Sequence, residues 1–209
     1  MRRVTVYIDG LKRMAARKQD WQKLFWIDFV ALFKHFAPYH DVHKVKYFTS
    51  KPNNVRKIIR QALLIKANRL LHGNRFEVIY GKYYDKEFTC PSCNYQYVIP
   101  EEKRTDVNIS VEMMRDCRAD SADILFLVSA DSDLIPPLKA IKEDFPDKKI
   151  TVFFPPDNFS YDIRNFVKDS NYHLVRLENN KGKFIASIMP DVVTANGKTY
   201  TIPPEWKII

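Results

Sequence analysis

A chain of 209 residues fits one domain, or one domain with a modest appendage, and its 45% hydrophobic content is enough for a buried core. No apolar run approaches the roughly 18 residues that span a bilayer, and three cysteines do not make a disulfide framework. The excess of 34 Lys and Arg over 25 Asp and Glu, net +9, favours a phosphate-rich partner. The expectation is a cytoplasmic protein without a secretory leader or a membrane span.

In chain order, Val4 to Ile8 alternates with Thr5 and Tyr7 as a first strand does, and Asp9-Gly10 ends it. Trp21 to Phe36 carries a dense helical pattern that stops before Pro38. Val42 to Thr49 reads as a second strand. Pro52 to Leu71 reads as a long helix, with Ile59, Ala62, Leu63 and Leu70 on its buried side. Phe76 to Tyr80 is a third strand, and residues 83–100 form an inserted loop or hairpin around Cys90-Pro-Ser-Cys93. Asp106 to Arg118 is a helix. Ile124 to Val128, an unbroken apolar run, has the character of a central strand buried on both faces. Leu134 to Phe145 continues as helix, Ile150 to Phe154 as strand, Ile163 to Lys168 as a short helix and His173 to Leu177 as an edge strand.

Strands alternating with helices predict an α/β fold with a mainly parallel sheet over residues 1–178. Residues 179–209 read as a C-terminal arm or small hairpin. Asp9 and Asp131 each follow an apolar strand, which sets carboxylates at the carboxyl edge of the sheet, where open α/β folds bind ligands. Asp133 and the helix-opening Asp106 complete the candidate cluster. Each also has a local explanation, as a turn residue, a helix cap or a partner of the helix dipole. Together they repel unless a cation neutralises them. Mg²⁺ or Mn²⁺ held by a few carboxylates activates water and stabilises a scissile phosphate, so the pattern suggests phosphodiester hydrolysis.

Three stretches also carry a family resemblance: Tyr7-Ile-Asp-Gly-Leu11, Glu101-Glu-Lys-Arg-Thr-Asp-Val-Asn108 and Val128-Ser-Ala-Asp-Ser-Asp-Leu134. They resemble the signature blocks of the NYN family of PIN-like domains, related to LabA-type proteins. Pro155-Pro156, Ser160, Asp169 and the tail around Pro203-Pro-Glu-Trp206 extend the likeness through most of the chain. The resemblance implies a PIN-like three-layer α/β/α sandwich with Asp9, Asp106, Asp131 and Asp133 as catalytic metal ligands. It also implies a Mg²⁺- or Mn²⁺-dependent endoribonuclease acting on RNA. One position departs from the family pattern, since Lys12 stands where an Asn is usual. The alternative is a catalytically silent RNA-binding or regulatory module on the same fold.

Lys12, Arg13, Arg56 and Arg60 are candidates for a basic track that holds single-stranded RNA, with Trp21, Tyr83 or Tyr84 for base stacking. Ser129 and Ser132 flank Asp131 as candidate substrate contacts. Cys90 and Cys93 have the spacing of a zinc knuckle but lack a second pair, so Zn²⁺ there needs a homodimer or a distant ligand such as His72. A Walker loop and a Gly-x-Gly-x-x-Gly motif are absent, and 5 glycines leave little for a nucleotide cradle.

Overall fold

Strand β1 (Arg3–Asp9) lies at the centre of a six-stranded sheet in the computed structural model, which describes residues 1–10, 21, 24–50 and 54–207. After it come α1 (Phe29–Lys34), β2 (Asp41–Thr49), α2 (Val55–His72) and β3 (Phe76–Tyr80). A separate hairpin of β4 (Lys82–Thr89) and β5 (Gln96–Lys103) precedes α3 (Thr105–Arg118), β6 (Ile124–Val128), α4 (Ile135–Asp144) and β7 (Lys149–Phe154). The chain continues through α5 (Tyr161–Asp169), β8 (His173–Arg176) and α6 (Lys181–Ile185) to a second hairpin, β9 (Val192–Ala195) and β10 (Lys198–Thr201).

The main sheet runs β3-β2-β1-β6-β7-β8 with every pair parallel. Alternate residues of each strand face opposite layers. Val4, Val6 and Ile8 pack with Phe29 and Phe33 of α1 and with Leu64 and Ile65 of α2. Tyr7, Leu125, Leu127 and Val152 pack with Ile109 and Met113 of α3, Leu138 and Ile141 of α4, and Ile163 of α5. The result is a three-layer α/β/α sandwich with a parallel sheet, consistent with a PIN-like domain. Setting the β4–β5 hairpin aside, the winding direction reverses between β1 and β6. In open α/β sheets, that reversal opens a crevice at the carboxyl ends of the two strands.

Several expectations shift. The single helix expected over Trp21 to Phe36 is interrupted: Trp21 is helical, but α1 starts afresh at Phe29, where Asp28 caps it by accepting from the Ala31 N–H at 2.8 Å. Ile27, just before the cap, instead bridges to Ile188. Trp21 is buried edge-on against Phe184 at 5.1 Å and so belongs to the core, not to a stacking surface. Helix α2 starts after Asn54, whose side chain accepts from the Lys57 N–H. Its buried residues are Leu64, Ile65, Ala67 and Asn68, while Ile59 is exposed. Asn68 is fully buried and bonds the Phe29 N–H, the Ile27 carbonyl and the Leu64 carbonyl, tying α2 to the start of α1. The C-terminal segment packs on the same face, with Phe184, Val193, Ile202 and Trp206 in the core.

At the opposite, amino edge, Arg3 joins β1 to β6 by bonding both oxygens of Asp123, and Asp120 and Lys148 extend the network. The Arg3 side-chain hydrogen bonds hold the Asp123 carboxyl well below the usual carboxylate range. A depressed folded-state pKa stabilises the fold above the unfolded value of about 4, and the contribution is lost as pH falls through the folded value. Asp123→Asn is therefore expected to lower the thermal midpoint at pH 7 by roughly 1–3 °C, given the solvent exposure of the pair. In scans at successively lower pH, the gap between variant and wild type should close.

Candidate active site at the carboxyl edge

Asp9 is the last residue of β1 and only 3% exposed. The chain turns away at once at Gly10, where φ is +52° and the N–H bonds the Phe48 carbonyl at 2.9 Å. A side chain there would be strained by the backbone angle and would press on that carbonyl. The tight turn keeps Asp9 at the strand end. A buried carboxylate is costly unless hydrogen-bonded, and Ser129, the first residue after β6, supplies a bond from Oγ to Asp9 Oδ2 at 2.8 Å. Ser129 is itself fully buried.

Its hydroxyl oxygen accepts from the Asp131 N–H at 3.1 Å. Asp131 then caps the one-turn helix Ser132–Leu134 by accepting from the Asp133 N–H at 3.0 Å. A hydrogen-bonded chain thus runs Asp9, Ser129, Asp131, Asp133 across the β1–β6 crevice. Asp133 and Ser132 are exposed at its outer end.

Asp106 reaches this edge from another element. It lies in the first turn of α3, which packs against β1, β2 and the one-turn helix Ser132–Leu134. The start of α3 is held close over the ends of β2 and β3. A Cβ on Gly81 would lie 2.6 Å from Thr105 Oγ1 and 2.7 Å from Ser50 Oγ, so only glycine lets these segments meet. Asn108 contacts the Tyr80 carbonyl at 3.5 Å.

Among the described residues, no three His, Cys, Asp or Glu side chains converge as a ready-made metal cage. The donors present are carboxylate and hydroxyl oxygens, which suit a hard cation. Mg²⁺ keeps several waters and needs only one or two carboxylates. The donor chemistry at this edge is therefore of the kind that suits Mg²⁺ or Mn²⁺.

A buried polar network that the sequence did not announce lies beneath α3. Lys46 of β2 bonds Glu112 and Asp116 of α3, each at 2.7 Å, and Tyr7 Oη donates to Asp116 Oδ2 at 2.6 Å. Burial, reinforced by Asp116, raises the Tyr7 hydroxyl well above its ordinary pKa. The available signal was Lys46 itself, a cation in the middle of a strand whose two faces a parallel α/β sheet must cover.

Of the basic candidates, Arg56 is exposed on the first turn of α2. Arg60, one turn on, faces Glu205 at 3.6 Å. Gln61 bonds Thr49 and the Ser50 carbonyl, which roots the same helix at the strand ends. Lys12 and Arg13 lie outside the described residues, as does the Tyr83 side chain. Cys90 and Cys93 sit at the turn of the β4–β5 hairpin. Backbone N–H groups of Ser92 and Cys93 hold the Cys90 thiol below its usual range. Among the described residues no third ligand joins the pair, and His72 bonds Asp28 at 2.7 Å instead. Cys117 is buried, which pushes its thiol up to about 11.

Comparison with known proteins adds three findings. The NYN domain matches residues 3–173. A 6-hydroxy-3-succinoylpyridine 3-monooxygenase of Pseudomonas putida is 26% identical over 245 residues, covering 97% of this chain and 74% of that protein. A crystal structure of a protein of unknown function from Vibrio parahaemolyticus shares the fold at a TM-score of 0.52 and 18% identity, over 84% of this chain and 93% of that one. No helix among the described residues is long and apolar enough to cross a membrane.

Proposed function

The chain belongs to the NYN domain family, and from that premise we propose that it is a metal-dependent ribonuclease hydrolysing RNA phosphodiester bonds at the β1–β6 crevice. The observation that carries the reading is the chain from Asp9 through Ser129 to Asp131 at the topological switch point of the sheet. Asp9 and Asp131 would hold a Mg²⁺ or Mn²⁺ ion, with Asp106 and Asp133 as further oxygen donors. When bound, such an ion lowers the pKa of water and offsets charge on the phosphate.

The chain's own residues fix the geometry. Ser129 orients the Asp9 carboxylate by donating to it, and ties it to the Asp131 backbone by accepting from that N–H. Ser132, exposed beside Asp131, offers a hydroxyl to a substrate phosphate. Arg56 and Arg60 on α2, with Lys12 and Arg13 after Gly10, supply the positive charge that draws RNA to an acidic centre.

The test is cleavage of a labelled single-stranded RNA by the wild-type chain with Mn²⁺, Mg²⁺ or EDTA. Cleavage in the metals that stops in EDTA is expected. Tight RNA binding with no cleavage in any metal would replace the nuclease with a silent RNA-binding module, the reading that Lys12 at the usual Asn position favours. The likeness to the pseudomonad enzyme, over 97% of this chain and 74% of that protein, supports a second reading, oxygenation of a small aromatic at the same crevice. Oxygen uptake with 6-hydroxy-3-succinoylpyridine and a supplied electron donor, without RNA cleavage, would select it.

A further inference from the structure

The β4–β5 hairpin makes a two-stranded sheet of its own, outside the main sheet. An isolated ribbon of this kind is marginally stable in water, and its large rings face solvent. Tyr84 is 41%, Tyr95 69% and Tyr97 41% exposed. The rings form a pattern. Phe88 and Tyr97, opposite each other in the register, stack at 5.7 Å and 16°, and Tyr95 continues the stack on Tyr97 at 6.3 Å and 14°.

Cations are interleaved with the rings. Lys86 Nζ lies 5.1 Å from the Phe88 ring, and Lys82 Nζ 4.9 Å from the Tyr84 ring. Arg104 lies 5.7 Å from the same Tyr84 ring and donates to its hydroxyl at 2.8 Å. Lys82, Tyr84, Lys86 and Phe88 occupy alternate positions of β4, so they share one face. In the register Lys103 pairs with Lys82 and Glu101 with Tyr84, so the cations on that face outnumber its one acidic residue.

We propose that this face of the hairpin is a stacking platform for the bases of single-stranded RNA, feeding the strand toward the carboxyl-edge crevice. The proposal rests on the nuclease reading for its destination, not for the binding itself. Every base has a flat face that stacks on an aromatic ring, and cations between the rings neutralise the connecting phosphates. A duplex hides its base faces and gains little here. A second copy would bring Lys82, Lys86, Lys103 and Arg104 of each chain together against only Glu101 of each, a net like charge that disfavours self-association.

The hairpin is rooted at the site. Its last strand passes directly through Arg104, held at φ +76°, into the first turn of α3 and Asp106. Its first strand leaves Gly81, whose N–H bonds the Thr49 carbonyl at the end of β2. RNA lying along the rings is thereby delivered to the strand ends.

The test measures binding of a short fluorescent oligouridine, and of an RNA duplex of equal length, to the full chain in EDTA. Tyr84→Ala and Tyr97→Ala are each expected to weaken single-strand binding by about tenfold or more, on the scale of one lost base stack. Duplex binding should be nearly unchanged, and Tyr84→Phe and Tyr97→Phe should keep wild-type affinity. Lys86→Glu, which leaves every ring in place, should weaken binding and flatten its dependence on salt. Unchanged single-strand affinity in the alanine variants overturns the platform, as does phenylalanine failing like alanine. Loss of a concentration-dependent dimer with RNA affinity intact overturns it too, in favour of a second copy. Because binding is read without metal, ring-dependent binding by a chain that never cuts RNA supports the platform and removes only the nuclease. Cleavage at undiminished KM by the alanine variants removes only the platform.

Discussion

Asp9→Asn is expected to reduce metal-dependent RNA cleavage by about three orders of magnitude, equivalent to about 4 kcal/mol of transition-state stabilisation. The substitution is nearly isosteric, and an amide oxygen still accepts the Ser129 hydroxyl, which in the wild type bonds Asp9 at 2.8 Å. The fold and the Gly10 turn should therefore survive, and thermal unfolding should match wild type. What disappears is one buried negative charge in the crevice. Ser129→Ala makes a graded comparison. It keeps the charge but removes the group that aligns Asp9 with the Asp131 backbone, and a loss of roughly 10- to 100-fold is expected, as for other groups that orient metal ligands. Wild-type rates for Asp9→Asn in Mn²⁺ would show that the reaction centre lies elsewhere.

The second large effect is on stability. Lys46→Ala is expected to cost about 3–5 kcal/mol, because it leaves two carboxylates buried without their cation. The Lys46 side chain is 6% exposed, and those of Glu112 and Asp116 are 14% and 12% exposed. For a chain of this size the thermal midpoint should fall by roughly 6–20 °C. Lys46→Met combined with Asp116→Asn leaves only Glu112 charged, which still pairs with Arg115, and should recover part of the loss. Urea denaturation of the single and double variants gives the comparison. A loss below about 1 kcal/mol in Lys46→Ala would mean that the network behaves like a surface ion pair. The functional link is α3, which Lys46 holds to β2 and which carries Asp106.

The strand ends were legible because the rule behind them is topological. Asp9 and Asp131 each follow an apolar run, and consecutive strands joined by helices must run parallel, which brings their carboxyl ends to one edge. The β4–β5 hairpin was legible in outline, since its segment interrupts the strand–helix alternation. Contacts between distant segments were not legible. The density of apolar residues from Trp21 to Phe36 mimics one unbroken helix, yet Ile27, bridged to Ile188, interrupts the run before α1 starts at Phe29. Local spacing does not encode that division. The same holds for Ile59, whose helix position fits an apolar face that the sheet does not reach. The tie from Ser129 to Asp9 spans 120 residues, so no local pattern contains it.

That span has a consequence for the protein's birth. Strand β1 emerges early and finds β2 soon after, but its other edge waits for β6, whose pairing begins at Ile124. At about 5–20 residues per second, a separation of 120 residues means a delay of roughly 6–24 s. Throughout it, the central strand presents an unpaired apolar edge, the kind of surface that recruits other chains or a chaperone. The same interval keeps Asp9 apart from Ser129. A ribosome making this protein thus holds a growing chain whose carboxyl-edge crevice is not yet assembled, and on the nuclease reading the transcript being read is spared until β6 has emerged.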